Sequence, residues 1–313
     1  MTEAMIKTPD RLPVVVKGIL RRVKELFQIL EPYLYLAPAF IIFTVFVFAP
    51  LIFSIYLSFT NWDLISKGAD FIWFKNYLRL AHNKNFWGAV ENTIYFTIGI
   101  VPAQIVLALI SALLLNTKVK FKSLFRSIYF LPVIVPITVT AIVWLFIFSP
   151  SYGILNYLIG LVGLPQPSWL YDPVWALPAL MVLAVWTNFG YFTVIFLAGL
   201  QSIPGELIEA AEIDGANKWQ SFWKITFPLL SPTTFLVLIM SIIGGFQIYQ
   251  TVVLTTEGGP AGATNVIVYE LYRTAFEYFD MGYASAMATL LFFLLFSFTL
   301  IQFKVVGSRV HYG

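Results

Sequence analysis

Long charge-free stretches alternate along the chain with short charged segments, and their lengths predict its elements. No Asp, Glu, Lys or Arg occurs between Glu31 and Asp63, Glu91 and Lys118, Arg126 and Asp172, Asp172 and Glu206, Lys224 and Glu257, or Asp280 and Lys304. An α-helix rises about 1.5 Å per residue, so ~20 apolar residues cross a hydrocarbon core of roughly 30 Å. The intervals therefore predict six transmembrane helices, near 34–59, 92–116, 127–149, 174–200, 231–254 and 283–304. The Arg126–Asp172 interval is long enough to raise the question of a second helix. Turn-rich Ser149-Pro150-Ser151-Tyr152-Gly153 and Gly163-Leu164-Pro165-Gln166-Pro167-Ser168 leave only Ile154–Val162 between them, a short interfacial helix.

Composition removes the soluble alternatives. Of 313 residues, 59% are hydrophobic and 11% charged, against roughly 45–50% and 25% in soluble domains. The expected class is an all-α integral membrane protein. The basic residues orient it, because loops rich in Lys and Arg stay cytoplasmic. Lys7, Arg11, Lys17, Arg21, Arg22 and Lys24 precede the first span; Lys118, Lys120, Lys122 and Arg126 lie between the second and third. Lys218 and Lys224 fall between the fourth and fifth, and Lys304 and Arg309 at the end. The opposite side holds only Lys67, Lys75, Arg79, Lys84 and Arg273, so both termini are expected in the cytoplasm. Because most of the basic residues behind the net charge of +3 gather on one membrane side, nucleic acid is not an expected partner.

The chain is expected to keep its N-terminus, since Val14–Leu20 is short, contains Lys17 and is followed by further charge. Residues 1–33 form a cytoplasmic arm in this reading, and 307–313 a cytoplasmic tail. Along 18–31, Ile19, Leu20, Val23, Leu26, Phe27 and Leu30 share one helical face opposite Arg21, Arg22, Lys24, Glu25 and Gln28. That segment is either a cationic helix in the inner interface or a lead-in resting on its neighbour.

Several chemistries lack their residues. There is no cysteine, and the two histidines, His82 and His311, lie outside the spans, so no metal site or catalytic cluster is expected. Tyrosine is the only ionisable side chain within the spans, whereas ion-driven carriers commonly keep ionisable groups or broken helices at the midplane. No nucleotide-binding loop is present. If the chain transports a solute, its energy comes from elsewhere, and it is no enzyme.

The segment between the fourth and fifth spans, 201–230, is the most informative. Pro204 suits a helix's first turn, Glu206 and Glu209 favour its positive end, and Ala210 and Ala211 leave a small surface. Asp214-Gly215 closes the helix, and a second amphipathic stretch, Ala216–Thr226, runs to a stop at Pro228. The result is a short helix–turn–helix on the cytoplasmic side, either inserted into a partner's groove or an ordinary connector.

Glu209-Ala210-Ala211, Gly215, Ile225, Phe227 and Pro228 together resemble the EAA loop of the membrane subunits of binding-protein-dependent ABC importers. Phe227 departs from the pattern, standing where leucine is usual. The similarity extends over about 30–306 to the group importing sugars and glycerol phosphates. It is carried by Asn92-Thr93, Ala108–Asn116, Leu131-Pro132, Pro136, Trp144, Gly153-Ile154-Leu155-Asn156, Thr256-Glu257-Gly258-Gly259-Pro260 and Met281-Gly282-Tyr283-Ala284-Ser285-Ala286, in that order. The resemblance implies a type I importer permease fold in a prokaryotic inner membrane. It also implies a second permease as heterodimer partner, two ATPase subunits that hold the ATP and Mg, and an extracytoplasmic solute-binding protein. No cofactor resides in this chain on that reading. Glu209, Ala210, Ala211, Asp214 and Gly215 would couple it to the ATPase, Glu209 as the polar anchor.

A sugar path needs hydrogen-bonding groups beside aromatic faces, and the fourth and fifth spans offer both. Trp186, Asn188 and Tyr191 lie on the fourth; Ser241, Gly244, Gly245, Phe246, Gln247, Tyr249 and Gln250 crowd the fifth. Gly244-Gly245 permits a kink or close backbone approach, and Gln247 and Gln250, three apart, share a helical face. By resemblance Asn188, Tyr191, Ser241 and Gly245 match the sugar-binding positions, and Gln247 and Gln250 join them as candidates. The same groups also suit helix-to-helix packing. The aromatics of Asn61–Glu91 and Pro260–Tyr283 either meet a binding protein or lie on lipid. A neutral sugar is favoured by the absence of Lys and Arg from the spans. Glycerol phosphate is the alternative within the importer class, and an ATP-independent carrier or channel the alternative outside it.

Overall fold

The computed structural model describes residues 31–65, 68–117 and 121–305. Of the expected arm only residues 31–33 are described, and they belong to the first helix; the rest of the arm, with all of its amphipathic segment except Glu31, and the expected tail lie outside those residues. Two compact units divide between Tyr56 and Leu57.

The first unit carries α1, Glu31–Leu57, up to its last residue but one, apolar on every side as a helix immersed in hydrocarbon must be. Its Thr44–Phe48 turn is a π-turn, with Ala49 N–H bonded to the Thr44 carbonyl. A proline ring collides with the carbonyl four residues before it, and the wider turn moves that carbonyl aside for Pro50. The same device recurs at Pro228.

In the second unit, α2 spans Lys75–His82 and α3 Lys84–Asn116. The Asn83 side chain caps α3 by accepting hydrogen bonds from the amides of Asn85 and Phe86 at 2.9 and 3.3 Å. The helix thus begins eight residues before the span expected at Asn92. α4, Lys122–Ile134, and α5, Ile137–Ile147, replace the single unbroken third span; their axes bend by 97°. Pro136 forces Val135 into extended backbone, φ −67° and ψ 130°, which ends α4. α6, Ile154–Leu161, follows. Asn156 pins it: its amide donates to the carbonyls of Pro150 and Pro167, and its Oδ1 accepts from Trp169 Nε1 at 2.7 Å.

α7, Ala176–Gln201, is the fourth long helix position expected from the charge pattern. α8, Gly205–Ile213, and α9, Lys218–Leu229, form the connecting loop. α10, Ser231–Phe246, stops at Gln247, and α11, Gln250–Thr255, resumes after a break at Tyr249, φ −149° and ψ −58°. The fifth expected span is therefore broken within its length. α12, Ile267–Tyr272, continues into a π-turn, and α13, Met281–Val305, closes the chain. Among the described residues four helices are long and apolar enough to cross a membrane, or up to six if each of the bent pairs α4–α5 and α9–α10 counts as one span. Among the described residues the only β contact is the bridge Thr60 to Phe71.

α3 against α7 is the central pair. Ala108 and Ala112 are fully buried at one end of it, beside Phe192, Phe196 and Leu200, and Phe96 and Ile100 pack with Leu180 and Leu183 at the other. Small residues let the backbones approach and multiply dispersion contacts, the main attraction between helices in lipid. α4 meets α7 at Gly190, where a Cβ would stand 1.8 Å from the Tyr129 carbonyl oxygen. Gly282, at the start of α13, is held likewise: its amide donates to the Trp62 carbonyl at 2.9 Å, and a Cβ would lie 2.1 Å from the Thr60 carbonyl oxygen. Arg79 ties α2 to the same point through an ion pair with Asp280 at 2.5 Å and a face contact with Tyr283.

Gly190→Val is expected to cost at least ~2 kcal/mol, about 4–8 °C for a unit of this size. Thermal melting of the purified protein in detergent checks this; an unchanged midpoint would contradict the α4–α7 contact.

Candidate functional site

Two regions gather the expected site residues. The first is the α8–α9 loop. Pro204 stands one position ahead of α8 instead of within its first turn. None of α8 is fully buried, and Glu209, Ala210, Asp214 and Gly215 are exposed, with Ala211 half-buried. The helix closes through two backbone bonds, Ala216 N–H to the Ala211 carbonyl at 2.9 Å and Gly215 N–H to the Glu212 carbonyl at 3.1 Å. This paired closure requires a left-handed residue, and Gly215 supplies it at φ +81°. α9 then starts from a reciprocal cap in which the Asn217 side chain accepts from Gln220 N–H while the Gln220 side chain accepts from Asn217 N–H, both at 2.9 Å. The loop is a fixed corner with its acidic helix outward. Pro228 does not stop α9, because the π-turn Phe222–Thr226 lets the helix run on to Leu229.

The second region is a cavity of about 1210 Å³, larger than the roughly 300–1,000 Å³ of ordinary small-molecule sites. Asn188, Tyr191, Ser241, Gln247 and Gln250 all line it. Gly245 does not: it is buried against α3, where a Cβ would lie 2.7 Å from Thr97 Oγ1, so this glycine permits helix contact and does not face a solute. Gln247 and Gln250 share no helical face, since the helix breaks between them, yet the break turns both toward the cavity. Trp186 rests edge-on against Trp144, ring centroids 5.6 Å apart, and is not among the lining residues.

Both helix breaks border this cavity. Val135 and Ile137 come from the α4–α5 break, and Gln247, Ile248 and Tyr249 from the α10–α11 break. Phe192, Phe292 and Phe296 give apolar walls, and none of the lining residues is Asp, Glu, Lys, Arg or His.

Gln104 on α3 is a wall residue that the sequence pattern did not single out, as are Thr187, Thr251 and Thr299. It is buried, accepts the Ser241 hydroxyl at 2.5 Å and donates to the Ala184 carbonyl at 3.3 Å. One amide thus joins α3, α7 and α10. Asn188 also gives its amide to Ala184, at 2.9 Å. Thr187, Thr251 and Thr299 complete the polar part of the wall.

The remaining short motifs hold loops at the ends of helices. Asn92 donates to the carbonyls of Gly262 and Asn265 at 3.0 and 2.9 Å, and Thr93 accepts the Ile267 amide at 3.0 Å. Burial raises the Tyr269 phenol's pKa above its ordinary value, and the neutral hydroxyl donates to the Glu257 carbonyl at 3.0 Å. Phe71, Trp73, Phe74, Phe276, Tyr278 and Phe279 are exposed.

Residues 104–312 match the model of the family described as "Binding-protein-dependent transport system inner membrane component". The chain is 36% identical over 277 residues to the probable ABC transporter permease protein YurN of Bacillus subtilis, covering 87% of this chain and 94% of that one. It is 33% identical over 280 residues to the trehalose/maltose transport system permease protein MalF of Thermococcus litoralis, covering 88% and 94%. With the sn-glycerol-3-phosphate transport system permease protein UgpA of Agrobacterium fabrum it shares 32% over 287 residues, covering 90% and 96%. Its fold is similar to a chain of the bacterial alginate ABC transporter solved in complex with an alginate pentasaccharide-bound periplasmic protein. The TM-score is 0.77 at 23% identity, covering 92% of this chain and 99% of that one.

A double-mutant cycle of Gln104→Leu and Ser241→Ala is expected to give a coupling between about 0.6 and 1.7 kcal/mol, the average and the maximum found for interhelical hydrogen bonds in a membrane protein. Unfolding of the four proteins in detergent measures it, and additive losses would contradict the bridge.

Proposed function

Since the chain belongs to the family of binding-protein-dependent transport system inner membrane components, and is thus a non-catalytic permease subunit of an ABC importer, we propose that it passes a neutral sugar. The observation that carries this reading is the cavity wall, which offers amides, hydroxyls and aromatic rings without a charged side chain. Sugars present hydroxyl edges and apolar faces, and this wall has a counterpart for each. A phosphate group would call for Arg, Lys or a comparable donor array, which the described wall lacks. The relatives named for trehalose/maltose and for sn-glycerol 3-phosphate are almost equally similar to the chain, so the chemistry of the wall supports the choice between them.

In this proposal Asn188, Tyr191, Ser241, Gln247 and Gln250 line the passage and Gln104 sets the position of Ser241. A second permease completes the passage, two ATPase subunits bind below it, and an extracytoplasmic binding protein delivers the solute. The inward placement of both termini and of the α8–α9 loop follows the distribution of basic residues. Glu209, Ala210, Ala211, Asp214 and Gly215 meet the ATPase, and closure of that subunit on nucleotide pushes α8. The fixed corner at Gly215 and Asn217 passes the push to α9, which turns α10 and opens the cavity outward. Hydrolysis reverses the motion.

Glu209→Lys and Gly215→Pro are each expected to lower uptake at least ten-fold while the chain remains in the membrane. Normal uptake by either, measured with protein levels matched, would contradict the coupling role. Tyr191→Ala and Gln247→Ala are expected to raise the KM of sugar uptake several-fold with ATPase subunits still bound. The reading is tested by solute-stimulated ATP hydrolysis in the reconstituted complex: stimulation by trehalose or maltose supports it, and stimulation by sn-glycerol 3-phosphate alone overturns it.

A further inference from the structure

The α8–α9 loop is divided by charge. α8 and its closing residue carry Glu206, Glu209, Glu212 and Asp214 and no base; α9 carries Lys218 and Lys224 and no acid. Among the described residues none of these charges is ion-paired.

α9 also carries an aromatic row. Trp219 and Trp223, one turn apart, have ring centroids 5.7 Å apart, and Phe227 follows at 5.0 Å. Trp219 is 71% and Trp223 46% exposed, whereas Ser221 and Thr226 are buried. An exposed indole pair of this size is unfavourable in water. Geometry names the alternative. α9 meets α10 at 65°, and membrane helices tilt by about 20° from the bilayer normal. If α10 follows that habit, α9 runs closer to the membrane plane than to the normal.

A helix so directed, with tryptophans and lysines facing away from the protein, fits the boundary between acyl chains and headgroups. Indole rings settle at that depth, and lysine stems lie along hydrocarbon while their ammonium groups reach lipid phosphates. We propose that α9 is a lipid-binding helix, with Trp219 and Trp223 seated at headgroup level and Lys218 and Lys224 paired to anionic phospholipids of the inner leaflet. The acidic α8 is repelled by the same surface and stays free for a protein partner. α9 then serves as a pivot held at the interface, so that a push on α8 turns α10 and does not simply displace the loop. The choice of leaflet rests on the inward orientation proposed above; the lipid contact does not.

The test uses the full importer complex in nanodiscs of phosphatidylcholine containing brominated phosphatidylglycerol, a short-range quencher of tryptophan. Quenching is expected to fall in the Trp219→Phe/Trp223→Phe double variant relative to wild type. Brominated phosphatidylcholine at equal fraction is expected to quench these two residues less. Lys218→Gln and Lys224→Gln are each expected to weaken the phosphatidylglycerol preference about five-fold, the worth of one basic residue at such a surface. Equal quenching of wild type and double variant overturns the proposal, and so does the absence of any preference for the anionic lipid. Quenching of these two residues that is present after the ATPase subunits are stripped from the complex and absent while they are bound assigns the surface to protein and overturns it too. Both leaflets hold quencher, so a wrong orientation leaves these results unchanged and is detected separately by protease cleavage of the loop in sealed vesicles.

Discussion

A backbone group in hydrocarbon has no water to bond with, so irregular backbone at membrane depth survives only where it is buried in protein or lines a wet cavity. The rest of this structure follows from that constraint. Its expected third and fifth spans are both broken, at Val135-Pro136 and at Gln247 to Tyr249, and both breaks border one cavity. The long regular helices α3 and α7 carry most of the packing between them, and the broken ones are arranged around the space they flank. Gln104 belongs to the same logic: a buried amide is tolerable in lipid when both its ends are satisfied, and Ser241 and Ala184 satisfy them.

At the loop, rigidity comes from local chemistry and not from burial. Gly215 at φ +81° and the reciprocal Asn217–Gln220 cap fix the angle between α8 and α9 although most of the residues are exposed. The π-turn before Pro228 keeps α9 continuous up to its bend with α10. A force applied to such a corner is transmitted, whereas a flexible connector would absorb it. This is the structural support for the proposed coupling of α8 to the permease helices.

The membrane class was legible because charge is costly in hydrocarbon, and that cost is written as intervals free of Asp, Glu, Lys and Arg. The corner of the loop was legible because Gly215 occupies a conformation that other residues reach only with strain. The breaks were not. Pro132 and Pro136 are alike in sequence, yet Pro132 lies inside α4 and Pro136 ends it. Gly244-Gly245 signalled an irregularity, but Gly245 serves contact with Thr97 and the break falls beyond it. Gln104 went unseen because an amide in an apolar run has the same signature whether it glues helices or faces a cavity; here it does both. Asn92, Thr93 and Asn156 resembled the family without revealing why, and the structure shows each as a pin for a loop.

In the proposed mechanism the rigid loop governs access to a charge-free cavity whose largely apolar wall carries a few amides and hydroxyls. Because the chain has no cysteine, Gln247→Cys places one thiol on its cavity wall. The decisive measurement is the reactivity of that thiol in sealed vesicles of the assembled importer, using a membrane-impermeant reagent added on either side. The account predicts labelling from the cytoplasmic side without nucleotide and from the opposite side with a non-hydrolysable ATP analogue. Labelling from one side only, whatever the nucleotide, would contradict it.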